Sequence, residues 1–205
     1  MADLPCRPMP SQSRSRERVD AVCSAALQLL RRGGIAECTV AAVAAEAGIT
    51  PASVYRYFPN IDAILHAVAT RQLDETHERL SAALDELTSR EHALDVLVAL
   101  LADYELRFRD DAAMRALWAG TLALDALIEL NVADSRRNGE LIAARISPFL
   151  RRPLDPHRAF LVTCLIGAGT VLLLQVDDDE AEAMRAPLRA MLVALFDDDA
   201  TPDDR

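Results

Sequence analysis

Apolar residues recur three or four positions apart over most of the chain, which is the spacing of one buried face of an α-helix. A first helix turns Val22, Ala26 and Leu30 inward and ends at the two glycines 33 and 34. Long helices are predicted over about residues 61–87, 92–109 and 125–150, with a short apolar helix between the last two. The pattern predicts an all-α fold.

The C-terminal third holds an uncharged run over residues 159–176, after a break at Pro153 and Pro156. This run is long enough to cross a membrane, but Thr163, Thr170 and Gln175 within it are polar and the final helix is amphipathic. We therefore expect a helix buried on several sides and no membrane partner. Small residues at 167–169 permit close packing, so the last two helices of two subunits are predicted to form a four-helix homodimer interface.

Residues 39–60 have the signals of two short helices joined by a tight turn. Thr39 and Thr50 are good N-caps, because a hydroxyl can accept a bond from a free backbone N–H. Gly48 supplies the left-handed conformation that ends the first helix. Pro51 suits the first position of the second helix, and Pro59 stops that helix. The segment predicts a helix-turn-helix.

The second of these helices has one apolar face, where Val54 and Phe58 lie four residues apart. Its other face combines small residues with hydroxyls and one arginine. Small residues let a helix enter the major groove, and arginine reads guanine or binds phosphate. The alternative is a plain helical hairpin. The candidate DNA-binding residues are Thr39, Thr50, Pro51, Ala52, Ser53, Tyr55, Arg56 and Tyr57.

Three segments, VAAEAGIT at 43–50, VYRYF at 54–58 and DAIL at 62–65, resemble the tetracycline-repressor (TetR) family of one-component regulators. The resemblance covers about residues 14–68. It implies an N-terminal three-helix DNA-binding domain and a C-terminal helical domain for ligand binding and dimerisation, linked by the helix that follows residue 60. Many members carry a phosphate-binding lysine where this chain has Ile61, so no such contact is expected there.

Four regions are predicted on this basis. Residues 1–13 form a disordered lead-in, 14–60 the DNA-binding domain, 61–197 the regulatory and dimerisation domain, and 198–205 an acidic tail. The net charge of −10 is unevenly placed, since residues 1–66 carry a net +1 and the remainder −11. The acidic composition therefore does not argue against DNA binding. Arg14, Arg16 and Arg18 could follow the DNA backbone or simply form a solvated helix start.

Cysteines at 6, 23, 38 and 164 match no zinc or CxxC spacing, and the four histidines show no i,i+4 pairing. We expect no metal, no cofactor and reduced thiols in a cytoplasmic protein. Inert buried thiols are the favoured interpretation, and a redox role for Cys38 or Cys164 is the alternative.

A ligand pocket is predicted among the aromatic and soft apolar residues of the C-terminal helices. Few charges are expected to converge there, so an uncharged or weakly polar small molecule is the predicted effector. The same residues could equally form a plain core. The candidate pocket residues are Tyr104, Phe108, Met114, Trp118, Leu122, Phe160 and Cys164.

These patterns predict a ligand-responsive regulator, most simply a repressor that binds a palindromic double-stranded DNA operator as a dimer. Its two recognition helices would meet successive major grooves about 34–36 Å apart. An activator of the same fold and a helical protein-interaction module without DNA binding are the alternatives. An all-α enzyme is disfavoured, because no nucleophile, carboxylate pair or metal spacing is recognisable.

Overall fold

The structure is a computed structural model that describes residues 10–121 and 124–194. Within these ranges the chain is helical and contains no β-strand, so the all-α prediction is confirmed. Two 3₁₀ turns, Ile35–Glu37 and Ser147–Phe149, complete the elements. The helices are α1 Pro10–Gly33, α2 Val40–Glu46, α3 Pro51–Tyr55, α4 Ile61–Asp85, α5 Arg90–Asp110, α6 Ala112–Gly120, α7 Asp125–Ile146, α8 Pro156–Leu173 and α9 Asp178–Ala194.

The start of α1 differs from the sequence prediction. α1 begins at Pro10, so residues 10–13 belong to the helix and not to a lead-in. α4 runs unbroken for 25 residues after its cap, where the backbone N–H of Ala63 donates to Oδ1 of Asn60 at 2.9 Å. Leu122, Cys6, residues 1–9 and the acidic tail 198–205 lie outside the described residues.

The buried apolar residues form two cores that share α4. The first core joins α1, α2 and α3 to the start of α4, where Ile64, Leu65 and Val68 are buried, and includes Leu117 of α6. The second core joins the end of α4, at Leu84, to α5, α7, α8 and α9. α4 therefore connects the two cores, as does α7, with Leu127 in the first core and Ile142 in the second.

α8 is the one helix among the described residues that is long and apolar enough to cross a membrane, and only 22% of it is buried in this chain. Its buried residues are Ala159, Val162, Thr170 and Leu173. α8 packs against α5, α7 and α9, and its remaining side exposes leucines. It is therefore buried on several sides and open on one.

Candidate DNA-binding surface and ligand cavity

Local hydrogen bonds fix the helix-turn-helix formed by α2 and α3. The hydroxyl of Thr39 accepts from the backbone N–H of Ala42 at 3.1 Å, and that of Thr50 accepts from Ser53 N–H at 3.3 Å. Gly48 has φ +65°, a left-handed conformation that side chains with a Cβ adopt at a cost. Caps and turn residues thus set where both helices begin and where the first one ends.

The packing of α3 separates a buried face from an exposed face. Val54 and Phe58 are 0% and 7% exposed and belong to the first core. Pro51, Ala52 and Arg56 are exposed, as is Tyr55 at 56%. This helix therefore presents its small residues, one phenol and one guanidinium to solvent, in the orientation that the sequence predicts.

The remaining candidate residues support this surface. Thr39 and Thr50 are exposed N-caps, and the Thr39 hydroxyl donates no hydrogen bond within the described residues. Ser53 is half-buried, with its hydroxyl 2.9 Å from that of Thr50. Tyr57 is half-buried against the first core, and the guanidinium of Arg56 lies 6.0 Å from its ring centre.

The arginines near this surface differ in their partners. Arg32 pairs with Glu46, and Arg31 pairs at 2.8 Å with Asp111, the N-cap of α6. The hydrogen bond from Arg31 holds the pKa of the Asp111 carboxyl below its usual value. Arg56 has no acidic partner among the residues that the structure describes, so its charge is available to an anion.

Arg14, Arg16 and Arg18 on the first turns of α1 are also exposed and form no ion pair within the described part of the chain. They add three positive charges at the N-terminal end of α1. Contact with a DNA backbone and a simple solvated helix start both remain compatible with this arrangement.

A cavity of about 160 Å³ lies between α4, α5, α7 and α8. Three of the candidate pocket residues, Tyr104, Trp118 and Cys164, line it. A smaller cavity of about 50 Å³ adjoins it and is lined by Phe108 and Met114 together with Tyr104 and Trp118. The structure thus brings five of the seven candidates together around two adjoining spaces.

Phe160 lines neither of these cavities. A Cβ added to Gly139 of α7 would lie 2.6 Å from the backbone nitrogen of Phe160, so the two helix backbones are in close contact there. The Phe160 ring instead lies 5.1 Å from the guanidinium of Arg136. Its assignment to the pocket is therefore wrong.

The expectation that few charges converge on the pocket is also wrong. Asp134 of α7 lines the larger cavity and is only 9% exposed. Its Oδ1 accepts from Arg137 and its Oδ2 from the amide of Asn138, both at 2.8 Å. The Asn138 amide oxygen lies 2.6 Å from Nδ1 of His77 on α4. Burial raises the pKa of the Asp134 carboxyl, and the bond from Arg137 opposes this shift.

The sequence holds a signal for this buried polar group. Asp134 and Asn138 continue the same line along α7 as the buried residues Leu127 and Ile142, which lie seven positions before Asp134 and four positions after Asn138.

Three polar side chains on the shared wall of the two cavities make no hydrogen bond within the described residues. They are the hydroxyl of Tyr104, the indole N–H of Trp118 and the amide of Asn131. Burial raises the pKa of Tyr104, so its hydroxyl stays protonated. These groups can donate to a bound molecule without breaking an existing bond.

The cysteines differ in exposure to this site. Cys164 lines the larger cavity and is half-buried. Cys38 is buried against α1, where its Sγ lies 3.6 Å from the carbonyl oxygen of Ala26, and burial raises the pKa of its thiol to about 11. Such a thiol is a poor nucleophile. The described residues contain no group of three or more side chains suited to a metal ion.

Comparisons with known proteins agree with this architecture. Residues 22–68 match the family of bacterial regulatory proteins described as the tetR family. That range begins in α1, contains the helix-turn-helix and ends in α4. No curated protein sequence matches the chain.

Solved structures share the fold over nearly the whole chain. The multidrug binding protein EbrR, in complex with imidazole, has a TM-score of 0.72 and 24% identity, covering 98% of this chain and 100% of that one. A TetR-family transcriptional regulator from Streptomyces coelicolor has a TM-score of 0.62 and 24% identity over 87% and 99% of the two chains. SmeT, the repressor of the Stenotrophomonas maltophilia multidrug efflux pump SmeDEF, has a TM-score of 0.66 and 18% identity over 91% and 94%.

Proposed function

We propose that this chain, a member of the tetR family of bacterial regulatory proteins through its residues 22–68, is a ligand-responsive transcriptional regulator that binds a palindromic operator as a homodimer. The observation that carries the proposal is the outer face of α3. Ala52, Tyr55 and Arg56 are exposed there, while Val54 and Phe58 anchor the helix from behind. A helix fixed in this way can enter a major groove without rearrangement.

Each exposed residue has a distinct part in the proposed contact. Ala52 allows the helix to come close to the base edges, and Arg56 reads a guanine or binds a phosphate. Tyr55, Thr39 and Thr50 donate hydroxyl bonds to phosphate oxygens and so fix the orientation of the protein. The DNA partner makes this a cytoplasmic protein.

The proposed dimer forms through α8 and α9. Leu161, Leu165 and Leu172 of α8 are 57%, 58% and 50% exposed and lie on one side of the helix, and Met191 of α9 is 63% exposed. An apolar stripe of this kind marks an association surface. α9 is held against α5 by Arg185, whose guanidinium bonds Glu105 at 2.6 Å.

A membrane span is a poor alternative for α8. The helix packs along α7, which carries exposed Arg136 and Glu140. Inserting α8 would bring these charges to the lipid, at a cost of several kcal/mol each by the order of magnitude for charges at a bilayer centre. A second copy of α8 and α9 covers the same leucines at no such cost.

The effector acts, in this proposal, through α4. Thr76 and Leu80 of α4 line the larger cavity, while Ile64 and Val68 of the same helix belong to the first core. A small, mostly apolar molecule that fits the cavity better at another tilt of α4 shifts the population toward that tilt. The spacing of the two recognition helices then no longer matches the operator, and DNA is released.

Repression is the proposed mode of action, because a dimer bound across a promoter blocks access to it. SmeT, which shares the fold, is a repressor. A reporter driven by the bound promoter would rise on deletion of the protein under repression and fall under activation.

The direct test is equilibrium binding to fragments of the protein's own promoter region and to random duplexes, at several salt concentrations. We expect affinity for one promoter fragment to exceed that for random DNA by about three orders of magnitude or more. Equal affinity for all duplexes at every salt concentration, or retention of a partner protein without any DNA binding, would overturn the proposal.

A further inference from the structure

The larger cavity has an unbalanced acidic group in its wall. Asp134 and Asp74 share the single guanidinium of Arg137, at 2.8 and 2.9 Å. Two carboxylates therefore face one cation. Asp74 is half-exposed, so water stabilises its charge, whereas the Asp134 side chain is only 9% exposed.

The two arginines that line the cavity, Arg107 and Arg79, do not compensate the charge of Asp134. Arg107 lies 3.0 Å from the Asp103 carboxylate, donates to the Thr76 hydroxyl at 3.2 Å and lies 5.7 Å from the Tyr104 ring centre. Arg79 is exposed at the rim of the cavity, where water screens its charge. Neither is hydrogen-bonded to Asp134, whose charged or polar partners are Arg137 and Asn138.

The rest of the wall suits the apolar part of a ligand. Leu97, Leu101 and Ile142 surround the larger cavity, and the Trp118 ring separates it from the smaller one. A cation beside an aromatic face is attracted by the ring quadrupole. One carboxylate, one indole and an aliphatic lining thus occur around a single cavity, together with the guanidiniums of Arg79 and Arg107.

We infer that the effector, on the function proposed above, is an amphipathic organic cation whose ammonium or amidinium group lies against the Asp134 carboxylate and whose apolar body fills the space beside Trp118. Arg137 pairs with both Asp134 and Asp74, and such a ligand adds a second positive charge beside Asp134. A neutral molecule of the same shape leaves Asp134 as poorly compensated as before, and an anion is repelled.

The test uses two probes of one shape, phenyltrimethylammonium and its uncharged isostere tert-butylbenzene. Trp118 is the sole tryptophan of the 205 residues, so its emission reports occupancy of the cavity directly. In wild-type protein without DNA, we expect the cation to bind about tenfold more tightly than the isostere, the range of one desolvated charge contact. Equal affinity, or no change in emission with either probe, would overturn the inference without any variant being needed.

Two variants then locate the preference. Asp134→Asn keeps the shape and one oxygen that can accept from Arg137, loses the bond from the Asn138 amide, and should lower cation affinity about tenfold while leaving isostere affinity unchanged. Asp74 also pairs with Arg137 but lies outside the larger cavity. Asp74→Asn therefore removes one negative charge from the same ion-pair cluster and should keep the preference for the cation. A preference that survives Asp134→Asn would refute the site.

Because these titrations contain no DNA, their outcome is separate from that of promoter binding. Promoter binding with no cation preference would leave the regulator intact and reject the cationic effector. A cation preference that depends on Asp134, in a protein that binds no DNA, would support the cation site and reject the proposed regulator.

Discussion

The helix-turn-helix and the cavity region use polar side chains in opposite ways. In α2 and α3, Thr39 and Thr50 are bonded within their own turns, and the interior is made of small, closely packed residues such as Val43 and Ala44. Between α4, α5 and α7, Asp134 and Asn138 are buried, while the hydroxyl of Tyr104 has no partner in the described part of the chain. The first region is built to keep one shape, and the second has unfilled space and unmet hydrogen bonds. For the proposed regulator, the first region suits rigid recognition and the second suits adaptable binding.

α4 connects the two regions, because it contributes residues to both of them. Its first turns are buried with the helix-turn-helix, and its middle carries Thr76 and His77, which bond Arg107 and Asn138 beside the cavity. A change in the adaptable region can therefore move the rigid one as a unit without deforming it. Arg71 of α4 also pairs with Asp20 of α1 at 2.5 Å, which fastens the two helices together.

The largest expected effect is on the proposed homodimer, in which each subunit contributes one helix-turn-helix and one cavity region. Leu165→Glu places a charge in the proposed α8 interface, and both subunits of a two-fold dimer carry it. At about 2 kcal/mol for each central residue, the dimer should weaken by about 4 kcal/mol and sediment as a monomer at micromolar concentration.

Leu106→Glu is the matched control for that change. Leu106 is 52% exposed on α5, similar to Leu165, but lies outside α8 and α9. This variant should remain a dimer. If the Leu165→Glu protein still sediments as a dimer, α8 does not form the interface.

A smaller effect is expected from truncating one buried phenylalanine in each region. Phe58 lies behind α3 and Phe108 lies beside the smaller cavity, at 7% and 2% exposure. Replacing either with leucine should lower the free energy of unfolding by about 1–2 kcal/mol. Phe58→Leu should weaken promoter binding and leave Trp118 emission unchanged, whereas Phe108→Leu should change the emission and leave promoter binding unchanged. The opposite pattern, measured by fluorescence and DNA titration on the two folded variants, would contradict the division between the regions.

The two regions also differ in how well the sequence predicts them. The helix-turn-helix depends on local chemistry: Thr50 as a cap, Pro51 at the first position and Gly48 at positive φ are set by neighbours in the chain. The exposed position of Arg56 follows once Val54 and Phe58 are assigned to the core.

The cavity depends on how helices distant in sequence rotate and approach one another. Whether Asp134 faces water or the interior is set by the packing of α7 against α4 and α8, and only its spacing from the apolar residues of α7 indicates the buried line. Phe160 was misassigned because Gly139 brings two backbones into contact, and no feature near residue 160 encodes that approach. Tyr104 and Trp118 were found because aromatic residues on interior helix faces commonly border such spaces.

The central claim is that the outer face of α3 reads DNA, and Arg56→Ala tests it most directly. Affinity should be measured for the preferred promoter fragment and for random duplex at one salt concentration, with Arg152→Ala, an exposed arginine in the loop before α8, as control. We expect Arg56→Ala to lose about 1–3 kcal/mol on the promoter fragment, with a much smaller loss on random DNA. Unchanged promoter affinity in Arg56→Ala, or an equal loss in Arg152→Ala, would contradict the account.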